Sequence, residues 1–208
     1  TLGTKNYAEE EKILIRIDTI GPALDAERTK GEKADKAFLK YLEETLKGLQ
    51  AEHKKWLVKD EIGYLYSQSG AVGFNAMTSA DTTTYVVHLP SNRLELWARI
   101  ESDRILNPVL REFYSERDVI MEERRRSVDS QPGRKLVENL LGAAFMAHPY
   151  GRPVIGWPSD IKSLDKRTTE QFFRTFYSPA NTVLTVVGDL NPDEALPVLI
   201  AVLDAAQG

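Results

Sequence analysis

The chain has no cysteine among its 208 residues, which excludes disulfide bracing, thiolate nucleophiles and cysteine metal ligands. Histidine is nearly as scarce. The three present, His53, His88 and His148, stand far apart, and no two have zinc-ligand spacing. Each is read as a structural or solvent-facing residue. No apolar run is long enough to span a bilayer, and no signal-peptide pattern opens the sequence as it stands. Glycine-rich phosphate loops, a dinucleotide fingerprint and a G-x-S-x-G elbow are all missing. Charge of one sign is missing too: a net charge of -4 offers no electrostatic footprint for nucleic acid. The chain begins at Thr1 rather than at methionine, and on that ground it is expected to be processed or trimmed.

What remains is ordinary globular composition, 42% hydrophobic and 28% charged, in a length suited to one domain or two small ones. Residues 7–29 carry Ile13, Ile17, Ile20 and Leu24 at helical spacing. Gly21-Pro22 is expected to kink or break that helix. Thr29-Lys30-Gly31 reads as a turn, and a second amphipathic helix follows from about Asp35 to Trp56. Together they form an αα-hairpin, either a packing insertion or a partner-binding arm. A short helix is expected over 60–67. Period-two alternation through Phe74, Ala76 and Thr78, and again through Thr83, Tyr85, Val87 and Leu89, indicates two strands with a tight connection. Helices are expected over 92–110, from Ser115 (with Asp118 as a capping box) and over 134–147. HPYGRPVIGWPSD (148–160) reads as a loop, and Ser163 or Asp165 as the cap of a helix to about 176. TVLTVVGDL (182–190) reads as a central strand, and Pro192 as the first turn of a last helix. Three strands are too few for a self-sufficient sheet, so part of the sheet is expected to be missing.

The segment SERDVIMEERRRSVDSQPG (115–133) holds the chemistry. Glu116 and Glu123 are seven apart, within about 20° of each other on a helix. Val119 and Ile120 share that face, so both acids are expected to turn inward. An inward carboxylate needs compensation, since burying it alone costs several kcal/mol, in order of magnitude. The acids could instead be solvated, pair with Arg104, Arg117, Arg124, Arg125 or Arg126, or face a metal ion. Glu122, about 100° from Glu123, is expected to face solvent.

Six segments in order, LGTKNY (2–7), GFNAMTSADTTTY (73–85), LPSNRLELWARIESDR (89–104), FYSERDVIMEERR (113–125), HPYGRPVIG (148–156) and FYSPANTVLTVVGDL (176–190), resemble the insulinase/pitrilysin family of zinc metallopeptidases. The likeness is to its bacterial members related to the mitochondrial processing peptidase. The resemblance implies an α+β, two-layer helices-on-sheet domain of half-clamshell type, spanning 1–208 as a partial N-terminal domain, with residues 8–56 as an inserted helical hairpin. It implies Zn2+ bound by an inverted H-x-x-E-H motif, whose glutamate is the general base, and by a glutamate ending an E-x(6)-E pattern. Glu123 matches that metal ligand and Glu116 the second, catalysis-supporting acid. Asn75, Ala76 and Met77 match an edge strand to which substrate peptide adds. The implied partners are peptide substrates and a second homologous domain or subunit, with a dimer through an exposed sheet edge also open. The GTKNYAEE stretch suggests an exported bacterial protein, of periplasm or cell envelope. H-x-x-E-H itself is absent from these 208 residues, so this chain is expected to be inactive alone. The alternative is a non-catalytic peptide-binding subunit of a metallopeptidase pair.

Overall fold

Asn6 opens the first helix, α1 (Tyr7–Thr29), its side chain accepting from Glu9 N at 3.4 Å. A 3-10 turn over Gly31–Lys33 follows, with Gly31 at φ +58, where a side chain would be strained. Asp35 then caps α2 (Lys36–His53), accepting from Ala37 N at 2.9 Å and Phe38 N at 3.1 Å. The order continues with α3 (Glu61–Gln68), β1 (Val72–Thr78), β2 (Thr83–His88), α4 (Leu94–Leu106), α5 (Phe113–Arg124), α6 (Pro132–Ala144), α7 (Pro158–Ser163), α8 (Lys166–Phe176) and α9 (Pro192–Ala205). The computed structural model describes residues 1–205. None of the described helices is long and apolar enough to cross a membrane. The chain divides into two compact units.

The first unit comprises residues 1–72, 88–111 and 172–205. Ile13, Leu14, Ile17 and Leu24 of α1 are buried, as are Leu42, Leu46 and Leu49 of α2, which packs against it. Each such side chain contributes about 1.5–3 kcal/mol on burial. Glu27 closes the hairpin, accepting from Lys30 Nζ at 2.5 Å and Asp35 N at 2.7 Å. The Lys30 bond, foremost, holds its carboxyl below the usual range. Glu10 of α1 is fully buried, and its Oε1 lies 2.8 Å from both His53 Nε2 and Arg111 Nε. α4 packs on α9, with Ala98, Ile100, Ala195 and Val202 buried. Fully buried Tyr66 of α3 donates to Glu101 Oε1 of α4 at 2.5 Å, and burial, then that bond, pushes its phenol up.

The second unit comprises residues 73–87 and 112–171. Its sheet is the antiparallel pair β1–β2. α5 runs into a π-helical turn (Arg125–Asp129), which α6 follows, and α7 packs on α5.

Several expectations need correction. Pro22 neither breaks nor ends α1, which is assigned as one helix through it. The continuous apolar seam against α2 outweighs the lost hydrogen bond. Segment 182–187 has no regular secondary structure and pairs with no strand among the described residues, where the anticipated central strand is therefore not formed. Ser115 does not cap α5: the helix starts two residues earlier, and Ser115 Oγ donates to Glu112 O at 2.9 Å. Asp165 does start α8, accepting from Thr168 N at 2.8 Å. The loop after His148 contains the unforeseen α7. The α-plus-β mixture holds, but the sheet has only two strands among the described residues, and β1 is exposed throughout.

Candidate functional site

α5 buries a face of unusual composition. Tyr114, Arg117 and Arg124 are its buried residues, the two arginines seven apart and so on one side. Arg117 Nη1 donates to Leu164 O at 2.9 Å, and its guanidinium lies 5.5 Å from the centroid of the Tyr114 ring. Arg124 is fully buried. It forks onto Glu138 of α6, Nη1 to Oε2 at 2.8 Å and Nη2 to Oε1 at 2.9 Å, and Nη1 also donates to Gly156 O at 2.7 Å. Its guanidinium sits 5.9 Å from the Trp157 ring centroid. A bidentate pair with a further carbonyl acceptor is the arrangement in which a charge tolerates burial.

This face points Glu116 and Glu123 the other way. Both are exposed, as is Val119 at 55%. The inward orientation expected of the acids is therefore overturned. Val119 and Ile120 are too short an apolar signal to orient the helix against two partnered arginines and Tyr114. The acids' proximity in helical phase survives, since it depends only on spacing.

Every arginine that could neutralise them has another carboxylate or carbonyl as partner. Arg125 and Arg126 both bond Glu122, at 2.7 Å, and together hold its carboxyl down at about 2. Arg104 bonds Glu101 at 2.9 Å within the first unit, while Arg117 and Arg124 are engaged as above. Glu116 and Glu123 make no side-chain hydrogen bond or ion pair among the described residues. Glu123 lines an open concavity with Asp118, Val119, Glu122, Arg126 and Ser127. The π turn begins two residues beyond it, closed by Ser130 N to Arg125 O at 2.9 Å.

The residues present do not complete a zinc site. Among the described residues no group of three or more His, Cys, Asp or Glu side chains could hold a metal ion. His53 is bonded to Glu10, and His148 Nδ1 accepts from Tyr150 N at 3.2 Å. The burial of His53 and its carboxylate partner escaped the sequence reading, because the two residues are 43 apart and neither has a motif. Asn75, Ala76 and Met77 all lie on β1 and are exposed, Met77 at 55%. Asn75 Oδ1 accepts from Ala76 N at 2.8 Å, a bond that an added strand would have to displace. These three residues and the two acids share the second unit, but among the described residues no hydrogen bond or ion pair joins the two sets.

Residues 58–157 match the sequence profile of the insulinase family, peptidase family M16. The zinc protease PqqE of Helicobacter pylori is 33% identical over 150 residues, covering 70% of this chain and 33% of that protein. A probable mitochondrial-processing peptidase beta subunit of Schizosaccharomyces pombe is 25% identical over 190 residues, covering 90% of this chain and 39% of that one. The crystal structure of a protease from Helicobacter pylori superposes with a TM-score of 0.63 at 29% identity, over 66% of this chain and 34% of that one. The chain thus spans about a third of the length of these relatives. Its central segment, which carries both α5 acids and the β1–β2 hairpin, places it in a known lineage: the chain belongs to the insulinase family of peptidases.

Proposed function

We propose that the whole protein is a zinc-dependent endopeptidase, to which this chain contributes Glu123 as a metal ligand and Glu116 as the supporting acid. The observation that carries the reading is the pair of exposed carboxylates on α5, seven residues apart, left unpaired while each neighbouring arginine is engaged elsewhere. They fall inside the segment that matches the family, whose relatives are named zinc proteases. The chain by itself is inactive on this reading, since H-x-x-E-H is not in its sequence and no group among the described residues could hold a metal ion. The half-clamshell architecture, with residues 8–56 as an insertion and a second homologous domain or subunit closing over substrate, belongs to the same proposal. So does addition of an extended peptide to β1 at Asn75, Ala76 and Met77. The relatives named as beta subunits of a processing peptidase support a paired arrangement. An exported location, in a bacterial periplasm or envelope, completes the reading.

The test is zinc content and peptide hydrolysis in a form carrying about 60 further residues encoded upstream of Thr1, the size of one helix with its preceding strands. Glu123→Gln is assayed beside it. Zinc and activity in the longer protein, both lost in the variant, establish the peptidase and its ligand. Absence of zinc from the longer protein rejects it in favour of a non-catalytic, peptide-binding subunit. Stoichiometric zinc in the 208-residue chain, removed by Glu123→Gln, would refute the inactivity of the chain alone.

A further inference from the structure

The β1–β2 hairpin is largely exposed. Every residue of β1 is exposed, and only Val86 and Val87 of β2 are partly covered. Its turn is closed locally: Ser79 N donates to Thr82 O at 2.8 Å, and Thr82 N to Ser79 Oγ at 3.1 Å. A two-stranded hairpin of this kind is marginal in water without outside support. Support arrives at Asp81, in the turn, whose Oδ2 accepts from the Tyr150 hydroxyl at 2.8 Å across 69 residues of sequence.

Tyr150 is itself set in place. Its ring stands edge-on to His148, with centroids 4.6 Å apart, and to Phe145 at 5.9 Å. The 3-10 turn Pro149–Gly151 is closed by Gly151 N to His148 O at 3.0 Å and Arg152 N to Pro149 O at 2.9 Å. A Cβ at Gly151 would lie 2.5 Å from Phe145 O, so only glycine permits this winding. The turn aims the hydroxyl, and the carboxylate it meets pushes the Tyr150 phenol up.

We propose that Tyr150 is a positioning residue for the peptide-accepting strand: its bond to Asp81 braces the β1–β2 hairpin, so that the free edge of β1 is ordered before an extended peptide adds to it. This rests on β1 being the peptide edge. A preordered edge spares the ligand the entropy of organising the hairpin.

The experiment compares the 208-residue chain with Tyr150→Phe, Asp81→Ala and Asp81→Asn. Amide hydrogen exchange over residues 72–88 reads hairpin order. Fluorescence anisotropy of a labelled ten-residue peptide of alternating valine and serine reads binding. Tyr150→Phe and Asp81→Ala are each expected to speed exchange in the hairpin and weaken the peptide by about three- to tenfold, the scale of one hydrogen bond. Asp81→Asn keeps an acceptor and is expected to stay near the unmodified chain. Any fall in the urea midpoint of Tyr150→Phe or Asp81→Ala should be no larger than the worth of this one exposed hydrogen bond. Unchanged exchange in Tyr150→Phe and Asp81→Ala overturns the brace. Faster exchange with unchanged affinity overturns the positioning role. If the unmodified chain binds no peptide, the assignment of β1 fails and the positioning role with it, while exchange alone still decides whether Tyr150 braces the hairpin.

Discussion

Glu123 and Arg124 are adjacent on α5 and occupy opposite environments, so their substitutions separate chemistry from stability. Glu123 is exposed and unpaired, and Glu123→Gln is expected to change the unfolding free energy of this chain by no more than about 0.5 kcal/mol. Arg124→Met leaves Glu138, which is 7% exposed, with Lys135 alone at 3.2 Å, and is expected to cost about 3 kcal/mol in urea unfolding, the low end for a broken buried pair. Replacing both partners by apolar residues, as in Arg124→Met with Glu138→Leu, should cost less than the single change. The pair also has a pH signature. Arg124, through its hydrogen bonds, is the largest influence holding the Glu138 carboxyl below its usual value, with burial opposing and Lys135 assisting. The folded value is thus below the unfolded one, about 4.3. The pair's contribution is complete above that range and is lost as pH falls through the folded value. The urea midpoint of the unmodified chain should therefore fall relative to that of the double variant as pH drops from the unfolded value, about 4.3, through the lower folded one. A constant difference from pH 7 to pH 3 would show that folding leaves the Glu138 carboxyl unshifted, so that Arg124 does not hold it down. At this scale the sequence disclosed the spacing of Glu116 and Glu123 but not their direction. Direction was decided by Glu138, Gly156 and Leu164, partners 14 to 47 residues away from the arginines they hold.

Elements whose stabilising contacts are local were legible from the pattern of residues. The α1–α2 hairpin follows from its leucine and isoleucine spacing, and Asp35 and Asp165 from their position before helical runs. Of the kink or break expected at Pro22, the break does not occur, because proline acts on one hydrogen bond whereas the α1–α2 seam acts along the whole helix. Its cost should persist nonetheless. Proline in a helix interior is about 3 kcal/mol worse than alanine, and Pro22 is exposed, so removing its ring opens no core cavity. Pro22→Ala is expected to raise stability by about 1–3 kcal/mol in urea unfolding. A loss of stability would mean that the seating of Ile17 and Leu24 on α2 depends on a bend made by the proline.

Segment 182–187 misled for a different reason, and its behaviour belongs to the whole molecule. TVLTVV has the composition of an interior strand, but a strand is defined by its neighbour, and no neighbour is present among the described residues. Val183 and Val187 are 92% and 90% exposed, and no backbone hydrogen bond links residues 183–190 to other parts of the described chain. An apolar segment of strand-forming composition with unpaired backbone donors and acceptors is a template for another strand. In a purified sample the strand on offer is that of a second copy. Sedimentation velocity is expected to show concentration-dependent association of this chain, abolished by Val183→Lys together with Val187→Lys. A lysine pair on the exposed face leaves Leu184 and Val186, which are partly covered, undisturbed, so the helix content by circular dichroism should not change. If the same chain with about 60 upstream-encoded residues stays monomeric at concentrations where the 208-residue chain associates, the edge is one that the longer protein covers for itself. Association that survives both lysines would move the contact elsewhere, with the exposed Leu136, Val137 and Leu140 of α6 the next apolar surface to substitute.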